Sequence, residues 1–166
     1  MLYEGVAREL VARLKYRNAR AVLSWLAAGM AALARGWLPF DVVTWAPTTP
    51  SRRRARGFDQ AELLARAVSR SLAVPCVRVL ARAEGEPQTG KPARERGEGV
   101  VFRAVRSPPA SGVGRVLLVD DVCTTGATLA AAAAAIHARA TAGPTSVMTL
   151  TAARTPLKVR SASADP

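Results

Sequence analysis

The feature that most constrains this 166-residue chain is an apolar run that leads directly into two acids, a small polar turn and an alanine-rich segment. The run is VLLV at residues 116–119, and a continuous apolar run is typical of a strand buried on both faces of a parallel sheet. Asp120 and Asp121 follow it, and the alanine-rich residues 127–140 predict a helix that Gly143 ends. The stretch therefore predicts a strand–turn–helix unit of a parallel α/β fold.

The turn between the acids and the helix has the composition of a phosphate-binding loop. In open α/β sheets ligands bind at the carboxyl ends of strands, and a helix start offers unpaired N–H groups to a phosphate. Paired carboxylates suit two vicinal hydroxyls, so the residues predict a site for a phosphorylated sugar. The alternative is that these residues only cap the helix and form the turn. The candidate residues are Asp120 and Asp121 for the hydroxyls, and Thr124, Thr125, Gly126, Ala127 and Thr128 for the phosphate.

The remaining sequence alternates short strand and helix patterns, which predicts a central parallel sheet with right-handed crossovers. Residues 51–57 and 83–99 are predicted loops, the second long enough to act as a lid. We expect a helical segment at 1–36, a main domain at 37–152 and a disordered tail at 153–166. The predicted elements are two helices before Gly36 that join near 16–19, strands at 42–45, 75–80, 100–105 and 146–151, and a helix from the N-cap Asp59 to about Leu72. Trp25, Trp37 and Trp45 are interpreted as packing residues rather than site residues.

Charge narrows the class of partner. The chain has 24 Lys and Arg against 12 Asp and Glu, a net charge of +12, which attracts polyanions. Between residues 10 and 58, nine basic residues accompany Asp41 as the single acid, which favours contact with nucleic acid. Aromatic residues make up only 5% of the chain, which leaves few platforms for base stacking. The arginines of 52–56 are interpreted either as a pyrophosphate site or as a solvated basic loop.

Cysteine usage and hydropathy exclude other classes. Cys76 and Cys123 form no CxxC pair, so we expect neither a zinc site nor a disulfide framework. The absence of a signal peptide predicts a cytoplasmic protein, and no apolar run reaches the ~20 residues of a membrane span, so no membrane partner is expected. His137 is expected to be exposed on its helix, and Cys123 is interpreted as a small loop residue rather than a nucleophile.

Two segments resemble known families. Residues 115–128, RVLLVDDVCTTGAT, resemble the phosphoribosyl pyrophosphate (PRPP) motif of the type I phosphoribosyltransferases. Residues 52–72, RRRARGFDQAELLARAVSRSL, resemble the RGFNQ segment of the competence-associated ComF family, and the YEG of 3–5 with the LKY of 14–16 resembles its amino-terminal motif. The likeness extends over about residues 3–151. The family usually begins with a four-cysteine zinc ribbon, so we expect either that this ribbon is absent or that the start codon is placed late.

The resemblance implies a type I phosphoribosyltransferase fold and a PRPP-binding, phosphoribosyltransferase-like function that releases pyrophosphate. The alternative it leaves open is a non-catalytic PRPP-binding accessory or DNA-uptake factor that contacts single-stranded DNA. It further implies Mg²⁺ bound together with PRPP, and a homodimer. No zinc is expected, because the two cysteines form no CxxC pair. By the resemblance, Asp120 and Asp121 hold the ribose hydroxyls, residues 124–128 hold the 5-phosphate, Pro47, Thr48, Arg54 and Arg56 contact the pyrophosphate, and Gln88 and Arg94 belong to the lid.

Overall fold

The computed structural model describes residues 1, 2, 4, 5, 9, 20–82, 100–106, 114–140 and 145–155. The predicted first helix, its joint near 16–19, and the lid with Gln88 and Arg94 lie outside these residues. The elements of the described part are α1 (Arg20–Arg35), β1 (Val42–Trp45), α2 (Pro50–Arg56), α3 (Gln60–Leu72), β2 (Leu80–Arg82), β3 (Phe102–Ala104), β4 (Gly114–Cys123), α4 (Ala127–Arg139) and β5 (Thr145–Arg154).

The central sheet is parallel and has the order β1-β4-β5. Val42 pairs with Val116, and the register continues to Trp45 beside Val119. On the outer side of β1, the N–H of Val43 donates to the carbonyl of Pro75 at 2.8 Å. β2 and β3 form a separate antiparallel pair. The prediction of a parallel α/β fold is therefore confirmed.

Helices cover both faces of the sheet, so there is one hydrophobic core on each face. Side chains of β4 contribute to both cores. Alternate residues of a strand point to opposite faces, so Leu117 and Val119 pack with α1 and α3. Val116 and Leu118 face α4 and the β2–β3 pair. This two-sided burial is the physical reason for the continuous apolar run in the sequence.

Residues 51–57, predicted as a loop, instead form the short helix α2, so that prediction is wrong. The side chain of Thr49 accepts a hydrogen bond from the backbone N–H of Arg52 at 3.3 Å, and Pro50 occupies the first turn. Gly57 ends the helix in the left-handed conformation at φ 79°, and its N–H donates to Arg53. Arginine is a good helix former, so the basic segment is compatible with a helix between these two caps. Contacts of Arg53 with Glu62 and of Arg56 with Gln60 hold the helix against α3.

The other differences concern strand length and exposure. The predicted strand at 75–80 pairs with β1 only at Cys76 before the chain turns to join β3, and β5 continues to Arg154. Trp45 is buried, but Trp25 and Trp37 are 62% and 57% exposed, so the packing prediction is wrong for these two. Trp25 lies on the face of α1 that points away from α3 and the sheet. Within the described residues, no helix combines the length and apolarity that crossing a membrane requires.

Candidate functional site

The predicted acid pair lies at the carboxyl edge of the sheet, where β4 passes beside β5. Asp120 is opposite Thr151 and is only 8% exposed. Its Oδ1 accepts a hydrogen bond from the N–H of Asp121 at 2.8 Å. Asp121 is half-buried, and its Oδ1 accepts from the N–H of Val122 at 2.8 Å. Each carboxylate is thus oriented by the backbone of its own turn.

The buried position makes Asp120 electrostatically unusual. Burial raises the pKa of Asp120 well above its usual range, and the negative charges of Asp121 and, more weakly, of Asp59 raise it further. An ionised Asp120 is therefore disfavoured in the folded protein as the structure stands. A hydroxyl donor or a cation brought to this edge would stabilise the charged form.

The turn after β4 has the geometry expected of a phosphate-binding loop. Gly126 is left-handed at φ 83° and precedes the first residue of α4, Ala127. The Oγ1 of Thr125 accepts from the N–H of Ala127 at 3.3 Å, and the first intrahelical bond runs from Ala130 to Gly126. The N–H groups of residues 128 and 129 precede this bond and belong to the donors that a helix start leaves for a ligand. Thr124 and Thr125 are exposed, and Thr128 is half-buried.

The end of β1 lies next to the acid pair. The N–H of Ala46 donates to the carbonyl of Val119 at 3.0 Å, which places Pro47 and Thr48 at the same edge as Asp120. Pro47 is buried and Thr48 is half-buried. The register of the sheet therefore brings together the predicted ribose side and the predicted pyrophosphate loop.

A carboxylate that the sequence identified only as a helix cap also holds this loop. The Oδ2 of Asp59 accepts from the N–H of Thr48 at 2.8 Å. Its Oδ1 accepts from Ala61 at 3.1 Å and from Glu62 at 3.4 Å, as an N-cap does. Asp59 is 3% exposed, and burial raises its pKa. The N-cap role was predicted, but the bond to Thr48 joins residues eleven apart and no local pattern signals it.

The basic residues of α2 divide into two groups. Arg56 is half-buried, and its Nη1 donates to the Oε1 of Gln60 at 2.8 Å, so it is held beside the start of α3. Arg53 forms an ion pair with Glu62 at 3.2 Å. Arg52 and Arg54 are exposed on α2. Of the predicted pyrophosphate residues, the structure therefore places Pro47, Thr48 and Arg56 at one junction, while Arg54 faces outward.

The side chains at this site could bind a hard cation such as Mg²⁺ only together with a bound ligand that supplies further oxygen atoms. Among the described residues, no group of three His, Cys, Asp or Glu side chains could hold a metal ion. The carboxylate oxygens of Asp120 and Asp121 are of the kind Mg²⁺ prefers, and Mg²⁺ is often bound by one or two carboxylates together with substrate phosphates. Cys76 and Cys123 are free thiols in the structure.

A parallel sheet with paired acids and a phosphate-type turn at its carboxyl edge is the architecture of a phosphoribosyltransferase. The family model described as phosphoribosyl transferase domain matches residues 59–163, and the chain belongs to this family. The chain is also 29% identical over 150 residues to the competence protein ComFC of Bacillus subtilis (strain 168). The match covers 89% of this chain and 60% of ComFC, so the chain spans about three fifths of that relative.

A solved structure shares the fold of this chain. A hypothetical protein from Neisseria gonorrhoeae with bound ppGpp superposes with a TM-score of 0.52 at 14% identity, covering 82% of this chain and 80% of that one. Adenine phosphoribosyltransferase from Leishmania tarentolae gives a TM-score of 0.49 at 19% identity, over 78% and 55% of the two chains. The purine phosphoribosyltransferase from Pyrococcus horikoshii gives 0.48 at 17%, over 80% and 82%. The family match, together with the parallel sheet, confirms the predicted phosphoribosyltransferase fold.

Proposed function

We propose that the chain binds PRPP at the carboxyl edge of its sheet. The observation that carries the proposal is the juxtaposition of three parts at one edge: the buried acid pair, the turn with left-handed Gly126, and the loop that follows β1. PRPP has a matching group for each part, because it carries vicinal hydroxyls, a 5-phosphate and a pyrophosphate. The net charge of +12 favours the binding of an anionic ligand.

Each part has a distinct role in the proposed complex. Asp120 and Asp121 accept hydrogen bonds from the ribose 2- and 3-hydroxyls, which stabilises the ionised form of Asp120 that burial disfavours. The N–H groups and hydroxyls of residues 124–128 hold the 5-phosphate. The loop at Pro47 and Thr48, with Arg56 beside it, neutralises the pyrophosphate.

Magnesium enters this proposal with the substrate. The two carboxylates offer oxygen ligands, and pyrophosphate oxygens and water complete the set that Mg²⁺ requires. Bound in this way, the ion would neutralise charge that develops on the leaving pyrophosphate. In the proposed complex, Asp120 and Asp121 would be the residues of the chain that position the ion.

We also propose that bound PRPP is consumed by transfer of the phosphoribosyl group to a nitrogenous base. The bond from ribose C1 to the pyrophosphate oxygen breaks through an oxocarbenium-like state, and its electron pair leaves with pyrophosphate. A nitrogen lone pair of the base forms the new bond to C1, and any proton displaced from that nitrogen passes to solvent. The protein contributes positioning and electrostatic stabilisation rather than a covalent intermediate.

Thermal melting with PRPP, with and without Mg²⁺, tests the binding proposal. At a ligand concentration of about 100 times Kd we expect about 2.7 kcal/mol of stabilisation, or a rise in Tm of about 5–10 °C for a chain of this size. Ribose 5-phosphate and pyrophosphate, tested separately, should each give part of the shift. The absence of any shift at millimolar PRPP would contradict the site.

A double variant and a matched control test whether the acid pair is responsible for the PRPP-dependent shift in Tm. Asp120→Asn combined with Asp121→Asn should abolish the PRPP-dependent shift, since each amide places an N–H₂ donor where an acceptor is needed. Asp41→Asn is the matched control, because Asp41 binds the N–H of Arg115 at the opposite edge of the sheet. The release of pyrophosphate in the presence of a panel of bases then tests the transfer proposal. If PRPP binds but no base causes pyrophosphate release, the transfer proposal is contradicted and the binding proposal is not.

A second candidate function is contact with single-stranded DNA through α2. Arg52 and Arg54 are exposed on this helix, and the ComFC relative is by name a competence protein. Phosphate contacts of this kind make affinity fall with salt, with a slope of about −0.7 per phosphate neutralised. Replacing both arginines by Gln should reduce the slope by about 1.4 in fluorescence anisotropy. DNA affinity that is independent of salt, or unchanged in the variant, would contradict this candidate.

A further inference from the structure

Gln60, the first residue of α3, is almost completely buried, with only 5% of its surface exposed. Its Oε1 accepts the 2.8 Å hydrogen bond from Nη1 of Arg56. Its Nε2 is buried as well, but within the described part of the chain this donor has no hydrogen-bond acceptor. Buried side-chain donors nearly always have a partner, so the presence of an amide at this position requires a physical reason.

The amide of Gln60 has only one orientation that is compatible with Arg56. A guanidinium carries five N–H donors and no acceptor, so only the oxygen of the amide can face it. The bond to Arg56 therefore fixes the orientation in which Nε2 is left unpaired. A buried donor without an acceptor destabilises the folded state, whereas an apolar side chain of the same shape does not. The amide thus contributes less to stability than an apolar residue of its size would.

The attachment of α2 to α3 does not depend on Gln60 alone. Arg53 also joins the two helices, through its 3.2 Å ion pair with Glu62. Thr49 and Gly57 cap the two ends of α2. A side chain that lowers stability without being required for the fold is typical of a functional position.

The place of Gln60 in the fold indicates which function it serves. The preceding residue, Asp59, accepts a hydrogen bond from the N–H of Thr48 at 2.8 Å, so Gln60 lies beside the loop that follows β1. We infer that Gln60 is a positioning residue, which holds the guanidinium of Arg56 beside this loop in the orientation that binds pyrophosphate. This inference rests on the proposed PRPP site and adds to it a residue that acts through Arg56.

The chemistry of the two side chains supports this role. Gln60 uses one of the five donors of the guanidinium, and a bidentate contact with phosphate oxygens needs two. An arginine that is already held in place loses less rotamer freedom when it binds a ligand, which raises affinity by about two- to twelvefold. Because the amide is neutral, it orients Arg56 without cancelling the charge that attracts the anion, as a carboxylate would.

The binding of three ligands to a Gln60→Met variant tests the inference. Methionine is similar to glutamine in length, but it removes both the acceptor for Arg56 and the buried donor. In isothermal titration calorimetry with Mg²⁺ present, the Kd values for PRPP and for pyrophosphate should rise about two- to twelvefold. The Kd for ribose 5-phosphate should stay within about twofold, and the Tm without ligand should be no lower than that of the wild type. A purely structural role would instead lower the Tm and leave the relative affinities unchanged.

An Arg56→Met variant shows whether Gln60 acts through Arg56. In the Arg56→Met background, adding Gln60→Met should change the Kd for pyrophosphate by less than about twofold, because the side chain that Gln60 orients is absent. Arg53→Met is the matched control, since it removes the same charge from α2 and breaks the other contact with α3. It should also change the Kd for pyrophosphate by less than about twofold.

The outcomes distinguish this inference from the proposed function. If wild-type protein binds PRPP and Gln60→Met binds pyrophosphate equally well, the inference alone is overturned. Equal losses for all three ligands, or a further loss in the Arg56→Met background, would overturn it too. A wild-type chain that does not bind PRPP would overturn the proposed function, and the inference with it.

Discussion

The two sides of the proposed PRPP site are held together in different ways. On the β4 side, the hydrogen bonds that shape the acids and the turn join residues one or two apart in the chain. On the β1 side, Thr48 is held by Asp59 eleven residues away, and Arg56 is held by Gln60 four residues away. The first side is a local motif whose shape follows from its own residues. The second depends on one buried carboxylate, so it should be the side that a single substitution disrupts.

The largest effect is expected for Asp59→Ala. The substitution removes the N-cap of α3, worth about 1 kcal/mol, and leaves the N–H of Thr48 without its acceptor, which costs about 1–3 kcal/mol. The burial that raises the pKa of Asp59 partly offsets this, so we expect a net loss of about 2–3 kcal/mol in urea unfolding. Because the loop after β1 is released, the PRPP-dependent shift in Tm should also be lost.

Asp41→Ala is the control for that experiment. Its Oδ2 accepts from the N–H of Arg115 at 2.7 Å, so it makes the same kind of bond at the amino edge of the sheet. We expect about 1–3 kcal/mol of destabilisation with the PRPP shift intact. If Asp59→Ala kept the full PRPP shift, the β1 side would not depend on this carboxylate and the contrast between the two sides would fail.

The same contrast explains what the sequence could and could not predict. The β4 unit was predictable because its strand, its turn and its alanine-rich helix follow one another without interruption between residues 114 and 139. The helix α2 was missed because its arginines suggest a solvated loop, while its ends are fixed by Thr49 and Gly57. Residues 21–34 predict a helix but carry apolar residues on every side, so only the neighbouring elements determine that Trp25 is exposed.

Two glycines allow the sides to be compared directly. Gly57 ends α2 at φ 79°, and Gly126 precedes α4 at φ 83°. An alanine in the left-handed conformation costs about 1–2 kcal/mol in the folded state. Alanine also lowers the conformational entropy of the unfolded chain, which offsets part of this cost. The free energy of unfolding of each Gly→Ala variant should therefore fall by about 1 kcal/mol. At Gly126 an added Cβ would approach only the Sγ of Cys123, at 4.0 Å, so the loss is one of backbone conformation.

The PRPP-dependent rise in Tm should differ between the two variants. Gly126→Ala disturbs the N–H groups proposed to hold the 5-phosphate and should lose most of the shift in Tm. Gly57→Ala alters the end of α2 beside Arg56, so it should lose a smaller part of the shift, through the pyrophosphate contact alone. Equal losses in both variants would mean that the phosphate turn has no special role in binding.

A smaller and pH-dependent effect is expected for Asp120→Asn without ligand. Burial, with the charge of Asp121, raises the pKa of Asp120 above its unfolded value of 3.8, so the ionised form destabilises the folded state. Wild-type stability relative to the variant should therefore fall as pH rises from about 3.8 through the raised pKa, and stay constant above it. At pH 8 the variant should therefore melt at a higher temperature than the wild type.

Melting curves from pH 4 to pH 8 measure this difference. Asp121→Asn is the control, because Asp121 is half-buried and should give a smaller gain. A variant that is less stable than the wild type at pH 8 would show that the acid contributes to folding rather than opposing it. The charge of the Asp120 carboxylate, rather than the local backbone hydrogen bonds, would then determine the conformation of the β4 side.

The smallest effect is expected at Ala73, which ends α3 in the left-handed conformation at φ 55°. Here alanine already bears the strain that the glycine variants would introduce, so Ala73→Gly should have the opposite sign. Relief of that strain stabilises the folded state, whereas the greater conformational freedom of glycine stabilises the unfolded chain. The net gain in the free energy of unfolding, measured in urea, should be about 0.5–1 kcal/mol. Position 73 lies outside both sides of the site, so the PRPP shift should not change. A loss of stability here would indicate that the contacts of the Ala73 methyl outweigh its backbone strain, and the losses expected at Gly57 and Gly126 would then have to be revised downward.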